Sequence, residues 1–240
     1  MHNAMIVLCG NGRTFIDCID SIYQHVISKL FSPQVNVYVY LYLKLTDPGP
    51  KNQPGWDFTY PPIEITTLRN KIKEIKQKTR LHIHSNLLPG DEIPNEELLS
   101  QVKSRHLYTD FYSEDVHLVR GLQCHYNFEK CGQYILKKEK DLQCKFDTLV
   151  YIRPDLKFIN SCERIEHYDP SVVTLGNGPF VGNIDHIAII PRKWLCSFFF
   201  RRMNTYRTNT TTIFHTAEQM YTHTIDYIVR PIGEYYIQRS

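Results

Sequence analysis

The chain has no apolar run of the ~20 residues that a membrane-spanning helix requires. Its best stretch, Val35 to Leu45, is shorter and is broken by Asn36 and Lys44. It has no Cys-x-x-Cys pair. Seven cysteines stand at 9, 18, 124, 131, 144, 162 and 196. An odd number without ligand spacing argues against a disulfide framework or a zinc ribbon, and for free thiols in a reducing compartment. It lacks a charge excess, because 28 Lys and Arg stand against 25 Asp and Glu for a net +3. That is far from the strongly basic profile of a nucleic-acid binder. The run Arg69, Lys71, Lys73, Lys76, Lys78, Arg80 has no interleaved aromatics and reads as a solvated helix face. Glycine (11) and proline (13) are few in 240 residues, and no repeat or low-complexity tract occurs, which excludes collagen-like chains and bulk disorder. The N-terminus lacks a basic segment leading into an apolar one. Ala4 to Leu8 therefore reads as a first strand and not as a signal peptide, and the expectation is a cytoplasmic protein.

What is present is an alternation of strands and helices. Met5 to Leu8 is apolar and ends in Cys-Gly-Asn-Gly, a strand followed by a turn. Phe15, Ile19, Ile22, Val26, Ile27 and Leu30 recur at threes and fours, an amphipathic helix with Thr14 as its expected cap. Val35 to Leu45 is β-branched and aromatic, a second strand. A Pro/Gly-rich loop, 46–62, leads to a basic helix over 67–78 and a short strand over 81–84. Further helices are expected over 96–107, 115–140, 191–203 and 215–226. Further strands are expected over 148–152, 172–175, 184–190 and 227–230. Strand-helix-strand order predicts a mostly parallel central sheet flanked by helices, in one α/β domain. A nucleotide-side half of about 1–90 would meet an acceptor-side half of about 91–240.

Four segments carry candidate chemistry. Cys9-Gly10-Asn11-Gly12-Arg13-Thr14 joins the first strand to the first helix. Its glycines admit a ligand close to the backbone, the helix N-terminus offers free N–H groups, and Arg13 is a forked donor for phosphate. It is neither a Walker A loop nor Gly-x-Gly-x-x-Gly, since Phe15 stands at the third-glycine place. A tight turn with a surface arginine explains it equally well. Tyr151-Ile152-Arg153-Pro154-Asp155-Leu156 closes a strand at the edge where open α/β sheets collect ligands. Asp155 there suits a hard divalent cation and Arg153 an anion, against a plain strand-end salt bridge. Asn183-Ile184-Asp185-His186 opens an apolar strand. Asp185 suits a general base or a grip on hydroxyl groups, against a strand cap. Glu218 and His215 lie at i,i+3 on the last helix. His82 and His84 share one strand face without further ligands, and Arg201, Arg202 and Arg207 form a basic stretch open to a phosphate or an acidic partner.

Together these pieces resemble a family. Leu8-Cys9-Gly10-Asn11-Gly12-Arg13-Thr14-Phe15 with Cys18 and Ser21 is similar to the opening of small GT-A-type glycosyltransferases, particularly those encoded by large DNA viruses. Tyr151 to Leu156 resembles that family's Arg-Pro-Asp-Leu segment, in the place of its Asp-x-Asp motif. A long helix with Gln123 and Cys131 precedes it, Asn183 to Ala188 resembles a later strand, and His215 to His223 resembles the closing helix. Arg153 departs from the pattern, standing where the first Asp would be.

The resemblance implies a GT-A-like, Rossmann-like fold and transfer of a sugar from a nucleotide-diphosphate sugar to a glycan or protein-linked acceptor. It implies a divalent cation, Mn or Mg, as cofactor. Gly10, Asn11, Arg13 and Arg153 would serve the nucleotide and its phosphates, Asp155 the metal, and Asp185 and Glu218 catalysis. The implied partners are the donor and a glycan acceptor, with no nucleic acid and no transmembrane segment. The alternative is a non-catalytic module of the same fold that binds a nucleotide, a glycan or a protein. A nucleotidyltransferase would want paired metal carboxylates near Gly10, and none stands there.

Overall fold

The computed structural model describes residues 2–12, 14–45, 64–89, 100, 115–176, 186–208 and 225–237. The strands are β1 Asn3–Asn11, β2 Asn36–Lys44, β3 His82–Leu88, β4 Thr148–Ile152, β5 Leu156–Asn160, β6 Val173–Gly176, β7 Ile187–Pro191, β8 Tyr227–Arg230 and β9 Glu234–Ile237. The α-helices are α1 Phe15–Ile22, α2 Ile65–Lys78, α3 Asp115–Leu142, α4 Leu195–Phe199 and α5 Arg201–Arg207. A π turn, Tyr23–Ile27, and a last α-helical stretch, Ser28–Leu30, prolong α1.

Seven strands form one sheet in the order β3-β2-β1-β4-β7-β6-β8, and β5 pairs with β9 apart from it. Four ladders are parallel (β1 with β2 and β4, β2 with β3, β6 with β8) and two are antiparallel (β7 with β4 and β6). The mostly parallel sheet flanked by helices is therefore what the chain forms. The reversal at β7 has a simple cause. Residues 177–186 are fewer than the dozen or more that a parallel crossover takes.

Both faces of the sheet are covered, so its central strands are apolar on both sides. Along β1, Ala4, Ile6 and Leu8 enter one core with Phe15 and Ile19 of α1 and Leu68 and Ile72 of α2. Met5, Val7 and Cys9 enter the other, with Phe128, Cys131 and Ile135 of α3 and Phe198 and Phe199 of α4. Each fully buried Leu, Ile or Phe contributes roughly 1.5–3 kcal/mol of transfer free energy. Two ion pairs with buried glutamates and partly exposed arginines tie α3 into the second layer. Glu139 accepts from Arg192 Nε at 2.7 Å and Nη2 at 2.8 Å, and from the Phe146 N–H at 3.0 Å. Glu129 is forked by Arg207 of α5.

Several expectations need correction. The Thr14 side chain makes no capping bond, and its carbonyl instead accepts from the Asp17 and Cys18 N–H groups at 3.1 Å each. β3 runs on to Leu88, because its backbone pairs with β2 through Lys44. β5 and β9 were not foreseen. The helix expected over 96–107 lies outside the described residues but for residue 100. Of that expected over 215–226 only Ile225 and Asp226 are described, and neither is helical. Arg207 is a structural clamp on Glu129 and not part of a loose basic stretch.

Candidate functional site

β1 and β4 are adjacent and parallel, with Leu8 opposite Ile152. Their carboxyl ends therefore leave the sheet side by side, and the segments after them meet. Gly10 has φ +145, a conformation that side-chain-bearing residues rarely adopt. A Cβ placed on it would lie 3.1 Å from Pro154 Cδ and 3.4 Å from Pro154 Cγ. The glycine turn thus packs directly on the Arg153-Pro154-Asp155 corner. Asn11 ends β1 opposite Lys44 of β2, and the Gly12 N–H donates to the Lys44 carbonyl at 2.8 Å.

Arg153 and Asp155 bond each other. Arg153 Nε donates to Asp155 Oδ1 at 3.1 Å and Nη2 to Oδ2 at 2.8 Å, a two-pronged, charge-assisted pair. The Asp155 side chain is 4% exposed and that of Arg153 27%. The Arg153 N–H donates to the His186 carbonyl at 2.8 Å, which fixes the corner against the entry of β7. His186 is buried, with its ring edge-on to Tyr235 of β9 at 5.8 Å.

The spacing of Phe15, Cys18 and Ser21 has a structural meaning that sequence reasoning missed. All three lie on the inner side of α1, toward β5. Ser21 Oγ accepts the Phe158 N–H at 3.1 Å and donates to the Cys18 carbonyl at 2.8 Å. Burial, and then the neighbouring Asp155 carboxylate, push the Cys18 thiol up to about 12. The i,i+3 spacing of two small polar groups on an apolar helix face was the available signal.

Of the residues singled out in the sequence, Gly10, Asn11, Arg153 and Asp155 come together at this edge. Arg13, Asp185 and Glu218 lie outside the described residues. Among the described residues no third metal ligand joins His82 and His84. His82 stacks on Tyr38 at 4.7 Å, and His84 stacks on Tyr134 at 5.0 Å and Tyr40 at 5.8 Å. Desolvation, with Lys138, Lys76 and Lys137 near, holds the His84 pKa below its usual value.

A divalent cation was expected at Asp155. Among the described residues no three His, Cys, Asp or Glu side chains gather as ligands. Both Asp155 oxygens are engaged by the Arg153 fork. The described donor set, one carboxylate with both oxygens bonded to a guanidinium and no further acidic, His or Cys ligands grouped with it, does not fit a bound cation. Among the described residues no helix is long and apolar enough to cross a membrane.

No family model matches the chain, and no curated protein matches it. Solved structures with a similar chain path include the glycosyltransferase GlyE of Streptococcus pneumoniae TIGR4 (10% identity over 96% of this chain and 45% of that one, TM-score 0.44). A galactosyltransferase LgtC with donor and acceptor sugar analogues matches at 7% identity, over 94% of this chain and 72% of that one, TM-score 0.47. Mouse xyloside xylosyltransferase 1 matches at 8% identity, over 95% and 84%, TM-score 0.43. The chain spans less than half the length of GlyE. At these identities and scores the likeness by itself assigns neither activity nor residue roles.

Proposed function

We propose that the chain is a GT-A-type glycosyltransferase that moves a hexosyl or pentosyl group from a nucleotide-diphosphate sugar to a glycan or protein-linked acceptor. One observation carries the reading. The glycine turn after β1 and the Arg153-Pro154-Asp155 corner after β4 pack on each other at one sheet edge. These are the two segments whose sequences resemble that family, and the carboxyl edge is where open α/β sheets hold nucleotides. In this reading residues 1–90 form the nucleotide side and 91–240 the acceptor side of one domain. Gly10 and Asn11 let the donor lie against the backbone, and Arg13 and Arg153 face its phosphates. Asp185, just before His186, is the base that deprotonates the acceptor hydroxyl or grips the donor sugar, with Glu218 as second carboxylate.

The test is release of nucleoside diphosphate from a panel of nucleotide sugars with mixed glycan acceptors. The expected result is acceptor-stimulated release from one donor class. If Asp185 is the base, Asp185→Asn lowers kcat far more than it raises KM, because a base acts in the transition state. No release from any donor refutes transfer, and a melting-temperature drop with unchanged kcat and KM refutes the role of Asp185.

A further inference from the structure

We propose that Arg153, held in place by Asp155, stands at the leaving diphosphate where a divalent cation would otherwise neutralise it. This rests on the glycosyl-transfer reading above. A Mg ion on Asp155 would need a carboxylate oxygen at about 2.0–2.1 Å. Both Asp155 oxygens instead accept from one guanidinium, at 3.1 and 2.8 Å. A cation entering there would displace the fork and face the charge of Arg153 within a few ångströms. Arg153 is a residue the ion would have to expel, and its side chain sits beside a carboxylate that is only 4% exposed.

The corner also aims Arg153. Its N–H is tied to the His186 carbonyl at 2.8 Å. Pro154 behind it is wedged against Gly10. The fork uses Nε and Nη2, and the side chain keeps 27% exposure at the sheet edge. A planar guanidinium held by a carboxylate and still partly exposed is preorganised to meet a phosphate. In the transfer, the bond between the anomeric carbon and the β-phosphate oxygen breaks, and its electron pair goes to that oxygen. The acceptor oxygen forms the new bond to the carbon and gives its proton to a carboxylate base. The charge that grows is on the departing phosphate, and a fixed cationic donor there stabilises it without a metal. Arg153 is then a catalytic residue and Asp155 a positioning residue.

The experiment is calorimetric titration with UDP, GDP and CDP, once in excess EDTA and once in excess Mn²⁺, with melting temperatures of each variant alongside. The expected parent binds one of these diphosphates with the same affinity in both arms. Arg153→Lys, which keeps the charge but loses the fork, binds about tenfold or more weakly in both. Asp155→Asn also weakens binding in both arms, and Mn²⁺ does not restore it. If Asp155 is instead a metal ligand, Mn²⁺ tightens parental binding, and Asp155→Asn removes that gain while leaving the EDTA arm unchanged. That pattern, or turnover that appears only with Mn²⁺, overturns this inference and leaves the transfer reading standing. Absence of binding by every diphosphate in both arms, with no turnover of any nucleotide sugar, overturns both.

Discussion

Replacing Gly10 by alanine tests the corner directly. The substitution meets two obstacles. At φ +145 a Cβ is strained whatever the space around it, and holding a non-glycine residue in so sparsely populated a region costs on the order of 1–3 kcal/mol. The new Cβ would also sit 3.1 Å from Pro154 Cδ, so the proline must yield by a few tenths of an ångström. A total near 2–3 kcal/mol is the expected loss. With a urea m-value of about 2–3 kcal/mol/M for a chain of this size, the unfolding midpoint falls by roughly 1 M at unchanged slope. Gly10→Ala combined with Pro154→Ala separates the two parts. It relieves the contact and keeps the backbone strain, so the double variant loses less than the sum of the singles. An alanine variant with the parental midpoint refutes the strained turn. Strict additivity in the double variant refutes the packing of the two segments on each other.

The buried charges and thiols give two further expected outcomes. Glu139→Ala strands the Arg192 guanidinium and the Phe146 N–H, at a cost of about 3–5 kcal/mol. The melting temperature then falls on the order of 10 °C, and a shift of only a degree or two sinks the clamp. Burial raises the Cys18 and Cys162 thiols from 9.0 to about 12, and the Tyr168 hydroxyl from 10.0 to about 12. In this window the folded state holds protons that the unfolded chain has released. The stability is complete below pH 9.0 and drains as pH rises toward about 12. Denaturant midpoints taken across that window fall steeply in the parent and less steeply in a Cys18→Ala/Cys162→Ala variant. Equal slopes refute the assignment.

Much of the sheet was legible because its strands are buried on both faces. β1, β2 and β4 are continuous apolar or aromatic runs, and no other element accounts for such runs at that length. β5 and β9 were not legible. Each is short, each mixes polar and apolar residues, and Leu156 finds its partner only at Ile237, far along the chain. The meeting of the Gly10 turn with the Pro154 corner could be anticipated, since both come after strands expected to run parallel. The Arg153–Asp155 fork is the strand-end salt bridge that the sequence offered beside separate anion and cation roles. An arginine and an acid two apart around a strand-ending proline were the signal for it. The chemistry of Asp185 and Glu218 rests on sequence alone.

The reversed strand β7 has a consequence for anyone remodelling this chain. The parallel pair β1 and β4 presents its exits at the Gly10–Pro154 edge, whereas β7, antiparallel to β4, presents its entrance there, through His186. Loop grafts placed after Asn11 or Ile152 and grafts placed before Ile187 therefore all reshape one rim. An insertion after Pro191 emerges at the opposite end of the sheet, next to Thr148 and the Glu139–Arg192 clamp. Exchanging specificity between related chains means swapping the loops that leave β1 and β4 together with the loop that enters β7. A swap that took only the exit loop of each strand would leave the rim half changed.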